Sequence, residues 1–269
     1  SITLRGHEIM QTTRKWMEEL GYSVIYGDTD SIFVKVDDNL TAMCCHKIGN
    51  ELMAHINHKW DRYIATHFNL KSYLEIEFET HYSPFFMPTI RDKKTGSKKR
   101  YVGKTTIDGE SKIVFKGMET VRSDWTEFAQ ELQKELFEAL FDSHFEIAQL
   151  DEIVKDYTKR LYSGEFDQKL VYKKRLGRNL NDYEKNIPPH VQAVKKHKAE
   201  HPDFEVRRGQ IIEYVYAMNG AEIYNGKNNL NYQLYLQRQL TPISNSIFDS
   251  ITSRSEKKST NGQLLLINF

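Results

Sequence analysis

Cysteine is almost absent from this sequence, because Cys44 and Cys45 are its only two cysteines and they are adjacent. Adjacent cysteines in a helical pattern cannot form a strain-free bridge to each other, and two thiols do not make a cysteine-rich zinc site. The composition therefore excludes a disulfide framework and a zinc domain of that kind. We expect a reducing compartment, the cytoplasm.

Long apolar runs and an excess of either charge are also missing. No stretch of 18 or more apolar residues occurs, which predicts that no helix spans a membrane. The sequence has 38 Lys and Arg against 37 Asp and Glu, so the net charge of +1 indicates no class of partner. There is no initial methionine and no signal-peptide pattern, which favours a piece of a longer protein. For 269 residues we expect two domains.

Two acidic residues stand between two strand-like runs in VIYGDTDSIFV, residues 24–34. The β-branched and aromatic flanks predict two strands, and the turn formers between them predict a β-hairpin with Asp28 and Asp30 at its tip. Two carboxylates about 4 Å apart repel by roughly 4 kcal/mol at an effective dielectric near 20, which a divalent cation offsets. Hard oxygen ligands favour Mg²⁺. An ordinary polar turn and the Asp-x-Asp site of a metal-dependent glycosyltransferase remain alternatives.

A second acidic strand is predicted in YLEIEFETHY, residues 73–82. With a period of two, Leu74, Ile76 and Phe78 face one way, and the three intervening glutamates face the other way. The acidic face is either solvated or lies beside the hairpin around a metal ion. In the second case Glu77 or Glu79 is a further ligand.

Positive charge is concentrated in two segments, although the chain as a whole is nearly neutral. Residues 91–104 carry seven basic residues and one acidic residue, and residues 168–181 carry a second basic cluster that includes Lys173, Lys174 and Arg175. Such runs are often solvated loops. Two of them on a neutral chain favour an oriented polyanionic partner.

The pattern changes from strands to helices near residue 122. Asp124 with Glu127 resembles a helix N-cap, and apolar residues then recur at helical spacing from Phe128 to Leu161. We therefore expect one domain over 1–122, a second over 123–258, and a C-terminal tail over 259–269.

Five short motifs, in this order along the chain, resemble those of the family B DNA polymerases. They are YGDTDSIFV at 26–34, KKRY at 98–101, FKGMETVRSDW at 115–125, IPPHVQA at 187–193 and RRGQIIEYV at 207–215. The residues of these motifs are most similar to those of a bacterial branch of the family that acts in replication restart and repair. The resemblance implies an α+β fold, with part of a polymerase palm, an antiparallel sheet with packed helices, followed by a mainly helical thumb.

The resemblance also implies an activity, which is the addition of deoxynucleotides to a primer 3′ end by two-metal phosphoryl transfer. Mg²⁺, which Mn²⁺ can replace, would be held by Asp30 and Asp28 with Glu77 or Glu79, and primer–template DNA and deoxynucleoside triphosphates would be the partners. The protein would be cytoplasmic and nucleoid-associated. The implied DNA contacts are Lys98, Lys99, Arg100, Tyr101, Lys116, Gly117 and Arg122, with Lys173, Lys174 and Arg175 farther along the duplex.

Other parts of the family pattern are missing from these residues. Nothing resembles the motif that carries the family's other catalytic aspartate, or the fingers helix that faces the triphosphate, so we expect the isolated chain to bind duplex DNA without polymerising it. The tail resembles a sliding-clamp-binding peptide, with Gln263, Leu264, Leu266 and Phe269 as anchors. An edge strand packed on the thumb is the alternative for the tail, and a non-catalytic DNA-binding module is the alternative for the whole chain.

Overall fold

The strand-like and helical patterns of the sequence fold as two compact units. A computed structural model describes residues 2–27, 31–88, 99–107, 109–255 and 263–268. One unit comprises Ser1–Lys116 with Ser250–Phe269, and the other comprises Gly117–Asp249. The expectation of a mixed α+β fold with antiparallel sheets is confirmed.

The helices and strands of the described residues follow one another in this order: α1 Ile2–Glu19, β1 Ser23–Gly27, β2 Ser31–Val36, α2 Ala42–Phe68, β3 Glu77–Tyr82, β4 Phe85–Phe86, β5 Tyr101–Ile107, β6 Glu110–Lys116, α3 Glu127–Leu140, α4 Ile147–Tyr162, β7 Tyr172–Arg175, α5 Pro189–Glu200, β8 Ile211–Ala217, β9 Gly220–Ile223, α6 Tyr232–Tyr235, a π-helical turn Leu236–Leu240, α7 Thr241–Ser255 and β10 Gln263–Asn268. None of the helices in the described part of the chain combines the length and hydropathy that a membrane crossing requires.

The main sheet of the first unit has the strand order β1-β2-β10-β3. Its core lies on one face, where Ile32 and Val34 of β2 and Ile76 before β3 pack against α1 and α2. Gly49 allows α2 to approach β3 closely, because a Cβ there would lie 2.7 Å from the Phe78 ring. The three-stranded sheet β4-β5-β6 completes this unit, and Phe33, Phe85 and Tyr101 pack together between the two sheets.

The second unit packs helices around the three-stranded sheet β7-β8-β9. Most of the predicted helical stripe is buried, including Phe128, Leu132 and Leu136 of α3 and Leu150 and Leu161 of α4, whereas Ile147 at the start of α4 is exposed. The predicted cap is wrong: the N-cap of α3 is Thr126, whose hydroxyl accepts the Ala129 N–H.

The C-terminal segment forms an internal strand of the first unit. β10 pairs antiparallel with β2 on one side and with β3 on the other. The alternative of an edge strand packed on the thumb is therefore wrong for the described residues 263–268. A strand with a neighbour on each side satisfies its own backbone groups and covers the edges of both neighbours.

Candidate metal and nucleic-acid site

The acidic motif spans a hairpin whose two strands, β1 and β2, are adjacent in the sequence. β1 and β2 pair antiparallel, and the last described pair before the turn is Gly27 with Ile32. The predicted hairpin is thus confirmed up to its tip. Asp28 and Asp30 lie outside the described residues.

Glu77 lies at the same end of the sheet as this hairpin tip. Ser31, the residue after Asp30, pairs with Asn268 of β10, and Asn268 pairs with Glu77 of β3. Residues directly opposite each other share a sheet face, so Ser31 and Glu77 lie on one face with their Cα atoms roughly 10 Å apart, two strand spacings. That face is opposite to the one covered by α1 and α2.

Glu79 occupies a different backbone environment from Glu77. In the pairing of β10 with β3, Leu266 lies opposite Thr80, and the next residue, Ile267, lies opposite Phe78. Glu79 therefore has no residue opposite it and is the extra residue of a β-bulge. Both glutamates are exposed, and the predicted acidic face of this strand is confirmed. The sequence alone did not separate the two glutamates, whereas the register favours Glu77 as the carboxylate nearer the hairpin.

The carboxylates of this site fit a hard divalent cation better than a soft one. Glu77 is exposed at the hairpin end, and the remaining candidates, Asp28 and Asp30, also offer only oxygen donors. Among the described residues no group of three His, Cys, Asp or Glu side chains could hold a metal ion on its own. A metal site here therefore requires the hairpin aspartates.

The predicted primer-contacting residues meet at one end of the β5-β6 ladder. Tyr101 begins β5 and lies directly opposite Lys116, the last residue of β6. Lys99 is exposed and Arg100 is half-buried, while Lys98 lies outside the described residues. The Tyr101 ring contacts Phe33, with centroids 5.1 Å apart, so it is anchored to the strand that follows the hairpin tip.

Arg122 is held by an acidic neighbour. Its Nε donates to Asp124 Oδ1 at 2.9 Å and its Nη2 donates to Oδ2 at 2.7 Å. This bidentate hydrogen bond lowers the pKa of the Asp124 carboxyl, and the nearby Lys174 acts in the same direction. The pair has no net charge, and the Arg122 guanidinium keeps further N–H donors outside it. Gly117, at the start of the second unit, has a φ of 60°, which favours glycine.

The predicted basic cluster of β7 is divided between the two faces of the strand. Because side chains alternate, Lys173 and Arg175 lie on one face and Lys174 on the other. Lys173 pairs with Glu213 at 3.2 Å. His190 is buried near Tyr214, and burial lowers its pKa, which indicates a packing role.

Sequence reasoning did not identify a polar chain in the core of the second unit. The Thr126 hydroxyl donates to the side-chain oxygen of Gln239, and the Gln239 amide donates to the Tyr172 hydroxyl. Burial raises the pKa of Tyr172 to about 12, so its hydroxyl stays protonated at neutral pH. The only sequence signal was a glutamine on the apolar side of a helical pattern.

The comparisons with known proteins identify the family of the chain. The family model described as DNA polymerase family B matches residues 2–256. The chain belongs to DNA polymerase family B. The resemblance carried by the five motifs is confirmed, and family membership replaces the glycosyltransferase alternative.

Two relatives illustrate this membership. The chain is 42% identical to DNA polymerase II of Escherichia coli over 257 residues, 93% of this chain and 32% of that protein. It is 30% identical to a DNA polymerase of Thermococcus gorgonarius over 268 residues, 95% of this chain and 31% of that protein. The chain thus spans about a third of the length of these relatives.

A solved structure shows the same fold. The family B DNA polymerase from Pyrobaculum calidifontis matches with a TM-score of 0.56 at 24% identity, covering 91% of this chain and 29% of that structure. This likeness concerns the fold alone.

Proposed function

We propose that this chain is the palm and thumb portion of a bacterial DNA-directed DNA polymerase that acts in replication restart and repair. Residues 1–122 would belong to the palm, 123–258 to the thumb, and 259–269 to a clamp-binding tail. The observation that carries the proposal is the cross-sheet row of Ser31, Asn268 and Glu77, because it brings an exposed carboxylate to the end of the sheet at which β1 ends and β2 begins. The protein would work in the cytoplasm, on the nucleoid.

The acidic residues would hold Mg²⁺ or Mn²⁺ against nucleotide phosphates. Asp30 would be the principal ligand, Asp28 its partner in the hairpin, and Glu77 the nearest carboxylate on the neighbouring strand, ahead of Glu79. When bound, the metal neutralises phosphate charge and favours deprotonation of the attacking hydroxyl.

The basic residues would hold primer–template DNA. Lys99 and Lys116 flank Tyr101 at the end of the β5-β6 ladder and would contact backbone phosphates there. Lys98 and Arg100 would add contacts from the same segment, and Gly117 and Arg122 would position the duplex at the base of the thumb. The second basic cluster would contact the duplex farther along. Either Lys174 on one face of β7, or Lys173 and Arg175 on the other face, would make this contact.

Manganese binding tests the acidic site. Asp30→Asn should weaken Mn²⁺ binding by roughly tenfold or more, because it replaces a charged ligand by a neutral amide. Electron paramagnetic resonance of free Mn²⁺ measures this, with Glu75→Gln, another exposed glutamate, as the control. Glu77→Gln should weaken binding more than Glu79→Gln. Equal binding by the wild type and Asp30→Asn would overturn the proposed site.

The isolated chain should bind duplex DNA without extending a primer. No segment of its 269 residues resembles the family motif with the other catalytic aspartate, or the fingers helix that faces the triphosphate. A labelled primer–template incubated with deoxynucleoside triphosphates and Mg²⁺ should therefore remain at its original length. Extension by one or more nucleotides would contradict the proposal.

The tail would bind a sliding clamp through Gln263, Leu264, Leu266 and Phe269. Three of these anchors belong to β10, whose backbone pairs with both β2 and β3, while Phe269 lies outside the described residues. A peptide cannot occupy the sheet and a clamp pocket together, so clamp binding would require the tail to leave the sheet. Deleting 263–269 should abolish clamp binding, but it also removes a strand of the sheet. Gln263→Ala should therefore weaken clamp binding and preserve duplex binding, and unchanged clamp affinity in both variants would refute this part of the proposal.

A further inference from the structure

A groove on the helical side of the first unit is lined by several basic side chains and, among the residues that the structure describes, by no acidic one. It lies between α1 and α2, has a volume of about 920 Å³, and is distinct from the sheet face that carries Glu77. Its basic lining residues are Lys15, His55, His58, Lys59, Arg62 and His67.

The helical spacing of these residues creates the groove. On α2 the lining positions recur every three or four residues from His55 to His67, which places them on one helical face. At a rise of about 1.5 Å per residue this face is roughly 18 Å long. Lys15 contributes from α1, so each wall of the groove carries positive charge.

Two of the three permanent cations have no acidic partner. Lys59 pairs with Glu19 at 3.1 Å, whereas Lys15 and Arg62 form no ion pair with any described residue. Elsewhere on the same helices, pairing does occur, as between Arg14 and Glu18. The groove therefore holds two cations, Lys15 and Arg62, that no described residue neutralises by an ion pair.

The floor of the groove is aromatic and well packed. The Trp16 ring contacts Trp60 and Tyr63 at centroid distances of 4.7 and 5.9 Å, and His67 stacks on Tyr63 at 4.1 Å. His67 Nδ1 lies 2.9 Å from the Tyr63 carbonyl oxygen, to which only a protonated nitrogen can donate. The aromatic floor is thus held in place before any ligand binds.

We propose that this groove binds the backbone of single-stranded nucleic acid. Lys and Arg pair with phosphates, and the elongated shape suits a chain of regularly spaced anions better than a single compact one. Unpaired bases can rest on the exposed rings of His55, His58 and His67, as bases stack on side-chain rings where proteins hold single strands without reading sequence. In a duplex the bases are stacked on each other and cannot make these contacts.

Binding of a fluorescent twelve-nucleotide oligo-dT to the full chain tests the proposal. Lys15→Ala/Arg62→Ala should bind roughly tenfold more weakly, because two phosphate contacts are lost. Its log–log salt slope should fall by about 1.4, since each single-strand phosphate contributes about 0.7. Arg62→Glu alone should also weaken binding, because it places an acid in the groove.

The control removes the same charge from the same unit outside the groove. Lys47 and Lys71 are exposed and do not line it, so Lys47→Ala/Lys71→Ala should bind oligo-dT as the wild type does. Equal losses in both double variants, or no loss in Lys15→Ala/Arg62→Ala, would overturn the proposal. So would competition by polyglutamate as strong as that by oligo-dT at equal charge, which would indicate an acidic protein partner.

The groove and the proposed duplex-binding surface can be tested separately. Lys15→Ala/Arg62→Ala should keep its affinity for a blunt duplex, and a matching loss there would overturn the single-strand assignment. If the chain bound no blunt duplex at all, the proposed function would fail. The oligo-dT comparison would still test whether the groove binds single-stranded nucleic acid.

Discussion

Gln239 links two elements in the core of the second unit through side-chain hydrogen bonds. Its buried amide joins the N-cap of α3 to β7, through Thr126 and Tyr172. Replacing it by leucine leaves the buried Thr126 hydroxyl and the hydroxyl of the half-buried Tyr172 without this partner. Unsatisfied buried polar groups cost about 1–3 kcal/mol each.

We predict that Gln239→Leu lowers the stability of the second unit by about 1–3 kcal/mol. Gln237 is exposed two residues away in the same π-helical turn, so Gln237→Leu should change stability by less than about 0.5 kcal/mol. Urea unfolding followed by circular dichroism measures both variants. Equal effects of the two would show that the buried hydrogen-bond chain contributes nothing.

Two helical glycines should respond to the same substitution with opposite signs. Gly6 in α1 has no atom within 4 Å of a built Cβ, whereas at Gly49 the Cβ would meet the Phe78 ring. Alanine favours a helix over glycine by about 1 kcal/mol, and overpacking costs about 1–3 kcal/mol. Gly6→Ala should therefore raise the free energy of unfolding and Gly49→Ala should lower it. Stabilisation by both would contradict the close approach of α2 to β3.

Single residues were predictable from sequence where one local rule decided them. The alternation from Leu74 to Glu79 fixed which side chains face solvent, and the structure agrees. The cap at Thr126 was missed because Asp124 offered an equally good capping side chain, and its pairing with Arg122 could not be read from the sequence. Likewise, only the register across β10 distinguishes Glu77 from Glu79.

At the scale of elements, the apolar stripe of α2 predicts the helix correctly but rotates around the helix axis along its length. In the sequence, apolar residues recur every four positions from Cys44 to Phe68, which predicts one long helix with a buried stripe. A step of four residues advances about 400° in a helix of 3.6 residues per turn, so the stripe rotates by roughly 40° at each step. Leu52, Ile56 and Trp60 in the middle are buried, whereas Cys44 and Phe68 at the ends are exposed. The helix itself was predictable, and the end positions of its buried face were not.

β10 is the element that the sequence least explained. Its apolar run is typical of a strand, but a strand pattern cannot name its partners, since pairing with β2 and β3 spans more than 180 residues of sequence. The same residues also match a clamp-binding peptide. Two patterns therefore overlap on one segment, and a mutation can separate them.

We predict that Leu265→Pro loosens the sheet of the first unit. Leu265 pairs with Val34 and His81, and proline removes a backbone donor inside a central strand. Faster amide exchange in β2 and self-association in gel filtration should follow, because strand edges become exposed.

Gln263→Ala is the matched variant, because it changes a proposed clamp anchor at the end of β10. It should weaken clamp binding and leave amide exchange in β2 unchanged. If Leu265→Pro left both exchange and oligomeric state unaltered, β10 would not be a structural strand of the sheet in solution.

At the scale of the whole molecule, the net charge is close to zero but the charged residues are unevenly distributed. The net charge is +1, yet basic residues gather at the end of the β5-β6 ladder, on β7 and in the groove between α1 and α2. The first two clusters were visible in the sequence as runs. The groove was not, because its basic residues are spread over two helices and only folding brings them together.

The most direct test of the central claim is the salt dependence of primer–template affinity, because the claim is that this chain holds DNA at the β5-β6 edge beside the acidic hairpin. Lys99→Ala/Lys116→Ala should lower the log–log slope by about 1.8, or about 0.9 for each duplex phosphate released. Lys47→Ala/Lys71→Ala should keep the wild-type slope. Equal slopes for the wild type and both double variants would contradict the account.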